Sequence, residues 1–154
     1  MRELRRKDRA ITDDEAIAIL NKAEYGVLST ISQDGKPYGV PLSFCIIENC
    51  IYFHCAIEGR KIDNIEKNNS VSFCAVGNTE ILPDKFGTKY ESVIVSGEVV
   101  EIFDDNKQIA LKGLIKKYSS NYFSKGLEYI DTLKTKTRVF KIRITHLSGK
   151  ARRK

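Results

Sequence analysis

The chain has 154 residues, of which 42% are hydrophobic and 30% charged, as in an ordinary soluble globular protein. No apolar run approaches the roughly 20 residues that cross a bilayer, and no apolar segment follows the basic N-terminus as it would in a secretory signal. The four cysteines form no Cys-x-x-Cys pair, which argues against a structural zinc site. We therefore expect a single domain over residues 1–154 in the cytoplasm, with no metal and no membrane contact.

The positive charge of the chain lies at its two ends. The net charge is +6, of which residues 1–9 contribute +3 and residues 150–154 contribute +4, so the body is close to neutral. Because a nucleic-acid groove needs cations clustered on a folded face, this distribution predicts two solvated basic tails and argues against a nucleic-acid partner.

The first third of the chain predicts one helix and three strands. Thr12 and Glu15 have the spacing of a capping box, and apolar residues at helical spacing predict a helix over 13–23. Strand-forming residues then predict strands at 25–31, 37–47 and 50–55. Two short turns join them, one of which contains Asp34-Gly35, so they form an antiparallel meander.

The remaining sequence predicts three more strands among short helices. The predicted elements are a helix from Gly59-Arg60-Lys61 to Asn68-Asn69, strand 71–76, a loop over 77–89, strand 90–103 with a bulge at Gly97, a helix capped by Asp104-Asp105 and reaching Tyr118, a helix at 126–134, and strand 137–147. The expected fold is mainly β with short helices, arranged as a six-stranded antiparallel barrel.

The segment from His54 to Lys61 is the candidate site. A helix that begins at Gly59-Arg60-Lys61 offers free backbone N–H groups and two cations, which together suit a phosphate group. His54 ends the preceding strand and could position a substrate or pass a proton. The residues alone leave two other interpretations open: a surface helix start with solvated cations, and a histidine with only a structural role.

The chain resembles the FMN-binding split-barrel superfamily, which includes pyridoxamine 5′-phosphate oxidase, and more closely its nitroimidazole-resistance branch. The stretches that carry the resemblance are residues 6–9, 25–30, 35–42, 51–56, 59–65, 90–97 and 148–150, which follow one another in the family's order along nearly the whole chain.

The resemblance implies a homodimer with two FMN sites at the subunit interface, with FAD as the alternative cofactor. The residues it implies are Val40, Pro41, Leu42 and Ser43 along the flavin ring, His54 and Cys55 near the ring and ribityl chain, Arg60 and Lys61 at the phosphate, and Tyr90, Glu91 and Ser92 from the other subunit. A bound flavin needs flat apolar walls around its ring and fixed positive charge at its phosphate, which agrees with this division.

The resemblance also implies an activity, with one departure. The oxidase has a C-terminal Trp and Arg at its substrate site, whereas this chain has no Trp, which argues against oxidation of pyridoxamine phosphate. We therefore expect an oxidoreductase that reduces small electrophiles such as nitro-aromatic or nitroimidazole compounds, with His54 as the catalytic residue. The alternatives are a non-catalytic flavin- or haem-binding module of the same fold and a nucleic-acid-associated protein with basic tails.

Overall fold

The computed structural model describes residues 2–154. Its helices and strands are α1 Asp13–Lys22, β1 Gly26–Ile31, β2 Pro37–Leu42, β3 Cys45–Ile47, β4 Cys50–Cys55, α2 Arg60–Lys67, β5 Ser70–Leu82, β6 Gly87–Ile102, α3 Asp104–Tyr118, α4 Phe123–Leu133 and β7 Arg138–Arg152. Single turns of 3-10 helix lie at 7–9, 83–85, 120–122 and 134–136. Among residues 2–154, no helix combines the length and the apolar character that crossing a bilayer requires.

The seven strands form one antiparallel sheet in the order β2-β1-β5-β6-β7-β4-β3. Its two edge strands, β2 and β3, are separated in sequence only by Ser43 and Phe44, so the sheet must curl until its edges approach each other. The prediction of a mainly β fold is confirmed, and the unclosed curled sheet is consistent with a split barrel.

The prediction of six strands is wrong by one, because the predicted strand 37–47 is two strands. The break falls at Phe44, whose side chain is fully buried and whose backbone N–H donates to the Tyr118 hydroxyl at 3.0 Å. The polar-apolar alternation continues through the break, so the sequence pattern does not reveal that the chain changes from one sheet edge to the other.

The predicted loop over 77–89 is also wrong. Backbone pairing of β5 with β6 resumes at Thr79 after a bulge and continues to Leu82, and the reversal takes place over residues 83–86. The predicted irregularity at Gly97 is confirmed by a register shift there between β6 and β7. A Cβ atom at Gly97 would lie 2.4 Å from the backbone oxygen of Arg143, which explains the glycine.

The basic ends of the chain are not separate tails. β7 extends to Arg152 and pairs with β6, and the N-terminal segment joins the same sheet through a bridge between Ala10 and Lys150. The backbone N–H of Ile11 donates to the carbonyl oxygen of Gly149 at 3.3 Å. The two basic segments therefore meet at one end of the sheet. Met1, the first residue of the expected N-terminal tail, lies outside the described residues.

One of the two predicted helix caps is present. The Thr12–Glu15 capping box forms at the start of α1 as predicted. The predicted cap by Asp104-Asp105 is wrong, because Asp104 is already the first residue of α3 and Phe103 precedes it without a side-chain cap. The helix predicted at 126–134 begins earlier, at Phe123.

Two apolar layers use opposite faces of β4. Ile51, Phe53 and Cys55 point into the barrel, where α1 and α2 close the core. Tyr52, on the other face, packs in a second cluster with residues of α3 and α4. His54 follows Tyr52 by two residues and therefore lies on this outer face.

Candidate functional site

The end of β4 and the start of α2 form an open corner of the protein. Gly59 precedes the helix with φ of 145°, a conformation that residues with a side chain rarely adopt. Space is open where its Cβ atom would be. The backbone N–H groups of the first helical turn have no intrahelical acceptor. We call Gly59, Arg60 and Lys61, with the neighbouring Tyr38 and His54, the α2 corner.

The two cations of the α2 corner are available for a ligand. Among residues 2–154, neither Arg60 nor Lys61 has a carboxylate oxygen within 4 Å, although Glu58 and Asp63 are near in sequence. The guanidinium group of Arg60 lies over the Tyr38 ring, 4.4 Å from its centre, which joins the start of α2 to the edge strand β2.

A buried polar contact fixes α2 against the β1–β2 hairpin. The side-chain amide of Asn64 donates to the Thr30 hydroxyl at 3.0 Å, and that hydroxyl donates to the carbonyl oxygen of Tyr38 at 3.4 Å. Asn64 and Thr30 are the two buried polar side chains of the described residues. Sequence reasoning missed this pair, although an asparagine between the apolar Ile62 and Ile65 of a short helix is a signal that could have suggested it.

Arg138 links α2 and the loop before it to strand β6. Its guanidinium group donates two hydrogen bonds to Glu101, both at 2.8 Å, and one to Glu66 of α2 at 3.1 Å. It also reaches the carbonyl oxygen of Ile57, in the loop before α2, at 3.4 Å. These bonds raise the pKa of Arg138 and lower the pKa of Glu101. Sequence reasoning missed this positioning residue because its partners lie far away along the chain.

His54 lies at the mouth of a small apolar cavity of about 100 Å³ between the outer face of the sheet and helices α3 and α4. Leu111, Leu114, Tyr129 and Ile130 are among its walls. His54 is exposed at the edge of this cavity, yet the surrounding protein removes enough water from the imidazole to lower its pKa. The charge of Lys61 lowers that pKa further. The neutral imidazole is therefore favoured over a wider pH range, and in that form it can donate one hydrogen bond and accept another.

The side chains of Cys55 and of the β2 residues are placed differently from that of His54. The Cys55 thiol packs in the barrel core, and burial raises its pKa, although Lys61 and Arg138 lie close enough to oppose that rise. Val40 and Leu42 pack partly against the barrel core, while Pro41 and Ser43 are exposed. As an edge strand, β2 has β1 on one side only, so half of its backbone polar groups lack a partner strand.

Tyr90, Glu91 and Ser92 lie at the opposite end of the sheet. His54 is level with Ile102 through their common partner Val139 on β7, and Ser92 is ten residues from Ile102 along β6. At about 3.3 Å per residue, that separation is roughly 30 Å. Within one chain the structure thus brings together His54, Lys61 and Arg60 with β2, and it leaves the 90–92 segment far from them.

The α2 corner can hold a dianionic group. A phosphate would meet free N–H groups, the positive end of the helix dipole and two unpaired cations, all at a glycine that leaves room for close approach. The residues present therefore fit the phosphate of a flavin nucleotide.

Several solved structures of other proteins are similar to this fold. A proposed 5-nitroimidazole antibiotic resistance protein from Bacteroides thetaiotaomicron is 26% identical, with a TM-score of 0.78 over 92% of this chain and 85% of that chain. An FAD-binding protein from Mesorhizobium loti is 25% identical, with a TM-score of 0.63 over 92% and 95%. An FAD- and haem-binding protein from Mycobacterium smegmatis, 14% identical, has a TM-score of 0.71 over 93% and 72% and shows the shared fold alone.

Sequence comparison identifies the family. No curated protein matches the chain. A family model described as pyridoxamine 5′-phosphate oxidase matches residues 12–151, which is nearly the whole chain. The predicted resemblance to this superfamily and its nitroimidazole-resistance branch is confirmed. The chain belongs to the pyridoxamine 5′-phosphate oxidase family.

Proposed function

We propose that this protein is a cytoplasmic flavoprotein that binds FMN in a homodimer and reduces small electrophiles such as nitro-aromatic and nitroimidazole compounds. The observation that carries the proposal is the open start of α2, where Arg60 and Lys61 have no carboxylate partner among residues 2–154. The four cysteines are free thiols, which fits a reducing compartment.

Each part of the α2 corner has a role in this proposal. Arg60 and Lys61 bind the phosphate, and the exposed edge of β2 from Val40 to Ser43 lies along the ring. When bound, the flavin supplies hydride or electrons to the substrate. His54 orients the substrate through a neutral imidazole, and the apolar wall of α3 and α4 beside it keeps water away from an aromatic ligand.

The dimer completes the site. Tyr90, Glu91 and Ser92 are roughly 30 Å from His54 in the same chain, judged from the rise of β6. They can therefore contact the same flavin only if a second copy of the chain supplies them. A two-fold axis would then create two equal sites at one interface.

The first experiment compares FMN with riboflavin, which lacks the phosphate. The wild type should bind FMN far more tightly, and the double variant Arg60→Gln/Lys61→Gln should bind both flavins with similar, weak affinity. Lys67→Gln/Lys116→Gln removes the same charge from exposed positions and serves as the control. If the Arg60/Lys61 variant prefers FMN as strongly as the wild type does, the phosphate is bound elsewhere.

A second experiment tests the shared site by mixing subunits. One variant carries Arg60→Gln/Lys61→Gln, and the other carries Glu91→Ala/Ser92→Ala. In a mixed dimer one site contains both defects and the other contains neither, so random mixing should restore flavin to about a quarter of the sites. Flavin retained by Glu91→Ala/Ser92→Ala before mixing would place the 90–92 segment outside the cofactor site. Mixtures of two flavin-free variants that recover no flavin would show that the two segments do not form one site across two subunits.

The second candidate function is a flavin- or haem-binding module without catalysis. The observation that favours it is the exposed, neutral imidazole of His54, which is the form that ligates haem iron. The absorbance spectrum of the isolated protein distinguishes the cofactors, since flavin absorbs near about 450 nm and haem gives a Soret band. Turnover of a nitro-aromatic substrate with His54→Ala as the comparison then separates an enzyme from a binding module.

A further inference from the structure

The two basic ends of the chain together form a cleft of about 510 Å³ at the end of the sheet opposite the α2 corner. We call it the terminal cleft. Its lining includes the charged residues Arg6, Asp8, Arg9, Glu15, Arg152 and Arg153. Its walls come from the turn before α1, from α1 itself and from the end of β7, so residues about 140 positions apart in sequence share one concave surface.

Both acidic residues of the cleft are already engaged. Asp8 accepts two hydrogen bonds from the Arg6 guanidinium group, at 2.8 and 2.6 Å. Glu15 accepts one from Arg153 at 2.9 Å, and Arg153 also donates to Glu91 on β6 at 3.0 Å. These ion pairs bind the N-terminal segment, α1, β6 and the end of β7 to one another, which gives the cleft a fixed frame.

Two further arginines of the cleft have no such partner. Among residues 2–154, neither Arg9 nor Arg152 has a carboxylate oxygen within 4 Å. Arg9 lies over the Tyr90 ring, 5.9 Å from its centre, and donates to the Tyr90 hydroxyl at 3.4 Å. Arg152 rests against the backbone at Gly87, where a Cβ atom would be only 2.2 Å from its guanidinium nitrogen.

Guanidinium groups with unused donors are suited to a phosphate. Each guanidinium has a planar set of N–H donors that can bind two oxygens of one anion, and partial burial of both side chains lowers the entropy lost on binding. We propose that the terminal cleft is a second anion site, which binds the phosphate group of a small ligand through Arg9 and Arg152. All residues of this site come from one chain. Because Arg9 contacts Tyr90 and Arg153 contacts Glu91, the homodimer proposed above would place the site beside the partner's flavin.

The cleft favours a small ligand over a nucleic acid. Its volume is in the range of small-molecule sites, and two of its four arginines are spent on internal ion pairs. A nucleic-acid surface would need a row of available cations that follows successive phosphates. The basic ends of the chain therefore form an open cleft for one or two phosphate groups, with Lys154 as its remaining cation.

The test is calorimetric titration of the full chain, first saturated with FMN so that the α2 corner is filled, with inorganic phosphate and with ADP. Arg9→Gln/Arg152→Gln should weaken binding by at least about tenfold, since each charge-assisted contact contributes substantially. Arg143→Gln/Lys116→Gln removes the same charge from exposed positions outside the cleft and should bind as the wild type does. Tighter binding of ADP would identify a nucleotide, and equal affinities would identify free phosphate; both support the site.

Four results would overturn the proposal. The wild type could bind neither probe, or the control could lose as much affinity as the cleft variant. Single-stranded DNA could bind more tightly than either probe with steep salt dependence, which would assign the cleft to nucleic acid. Finally, the cleft variant could lose FMN together with phosphate while Arg60→Gln/Lys61→Gln retains FMN, which would make the cleft the cofactor site and refute the α2-corner assignment as well.

Discussion

The α2 corner and the terminal cleft lie at opposite ends of β6, and both combine paired with unpaired cations. At the α2 corner, Arg138 is paired with Glu101 and Glu66, whereas Arg60 and Lys61 have no carboxylate partner in the described part of the chain. At the terminal cleft, Arg6 and Arg153 are paired, whereas Arg9 and Arg152 have no carboxylate partner within the same residues. In both places the paired arginines join neighbouring segments of the chain, and the other cations have no carboxylate partner among residues 2–154.

The two regions differ in how the free cations are held. At the α2 corner they begin a helix, so the backbone N–H groups and the helix dipole add to their charge. At the terminal cleft they lie at the end of a sheet, Arg9 over an aromatic ring and Arg152 against a glycine. An anion at the first site is therefore bound by backbone and side chains together, and an anion at the second by side chains alone.

The largest expected effect comes from the paired arginine of the α2 corner. Arg138 and Glu101 have side chains only 23% and 22% exposed, whereas Arg153 is 52% exposed. Arg138→Gln should therefore lower the free energy of unfolding by about 2 kcal/mol, because Glu101 loses a charge-assisted partner in a half-buried place. Arg153→Gln should cost much less, since solvent screens its pairs.

Urea unfolding of both variants beside the wild type measures this difference. Arg143→Ala, an exposed position on the same strand, is the control and should unfold as the wild type does. Equal losses for Arg138→Gln and Arg153→Gln would mean that the α2 corner owes no special stability to its paired arginine.

The next effect concerns the two glycines with positive φ and open surroundings. Gly59 has φ of 145° at the α2 corner and Gly35 has φ of 78° in the β1–β2 turn, and neither has an atom within 4 Å of an added Cβ. Alanine at either position should cost about 1 kcal/mol through backbone strain. Only Gly59→Ala should also weaken FMN binding, because it alters the start of α2; equal FMN affinity in the two variants contradicts a backbone-based site.

The same contrast explains which site could be found from the sequence. The α2 corner was predictable from local signals in residues 54–61: the end of a strand, a glycine, two cations and the start of a helix lie within eight positions. The terminal cleft joins Arg153 to Glu15 across 138 positions, and its strand extends through residues that look like a charged tail. Charge composition alone cannot show that two ends meet on one sheet.

The fold, like the two sites, was predictable from the sequence where the signals are local. Alternation and turn residues predicted strands wherever pairing is local, such as the hairpin around Gly35. They failed where pairing overrides local preference: Gly77 reads as a loop residue, yet the ladder between β5 and β6 continues past a bulge to Leu82. The Arg138 ion pairs and the Asn64–Thr30 contact likewise depend on packing between distant elements.

A smaller change in stability is expected at the terminal cleft, where a substitution can test whether the Arg152 side chain binds phosphate. Gly87→Ala places a Cβ atom where the guanidinium group of Arg152 lies, and the flexible side chain can move away. We expect the free energy of unfolding to change by less than about 0.5 kcal/mol, while phosphate affinity falls because Arg152 is displaced. Gly39→Ala, on another edge with ordinary clearance of 3.5 Å, is the control. Unchanged phosphate affinity in Gly87→Ala would remove Arg152 from the binding site.

The smallest expected effect is the response of His54 to pH. Burial and the charge of Lys61 both lower its pKa in the folded protein. The unfolded chain therefore takes up this proton at a higher pH than the folded chain, so wild-type stability should fall as pH drops through the ordinary histidine range of about 6.5 and below. His54→Gln lacks this proton uptake and should lose less stability over the same pH interval.

NMR titration of the His54 ring measures the pKa directly. Lys61→Gln should raise the pKa of His54, because burial then acts without the neighbouring cation. A His54 pKa that is the same with and without Lys61 would mean that the two side chains do not share the α2 corner.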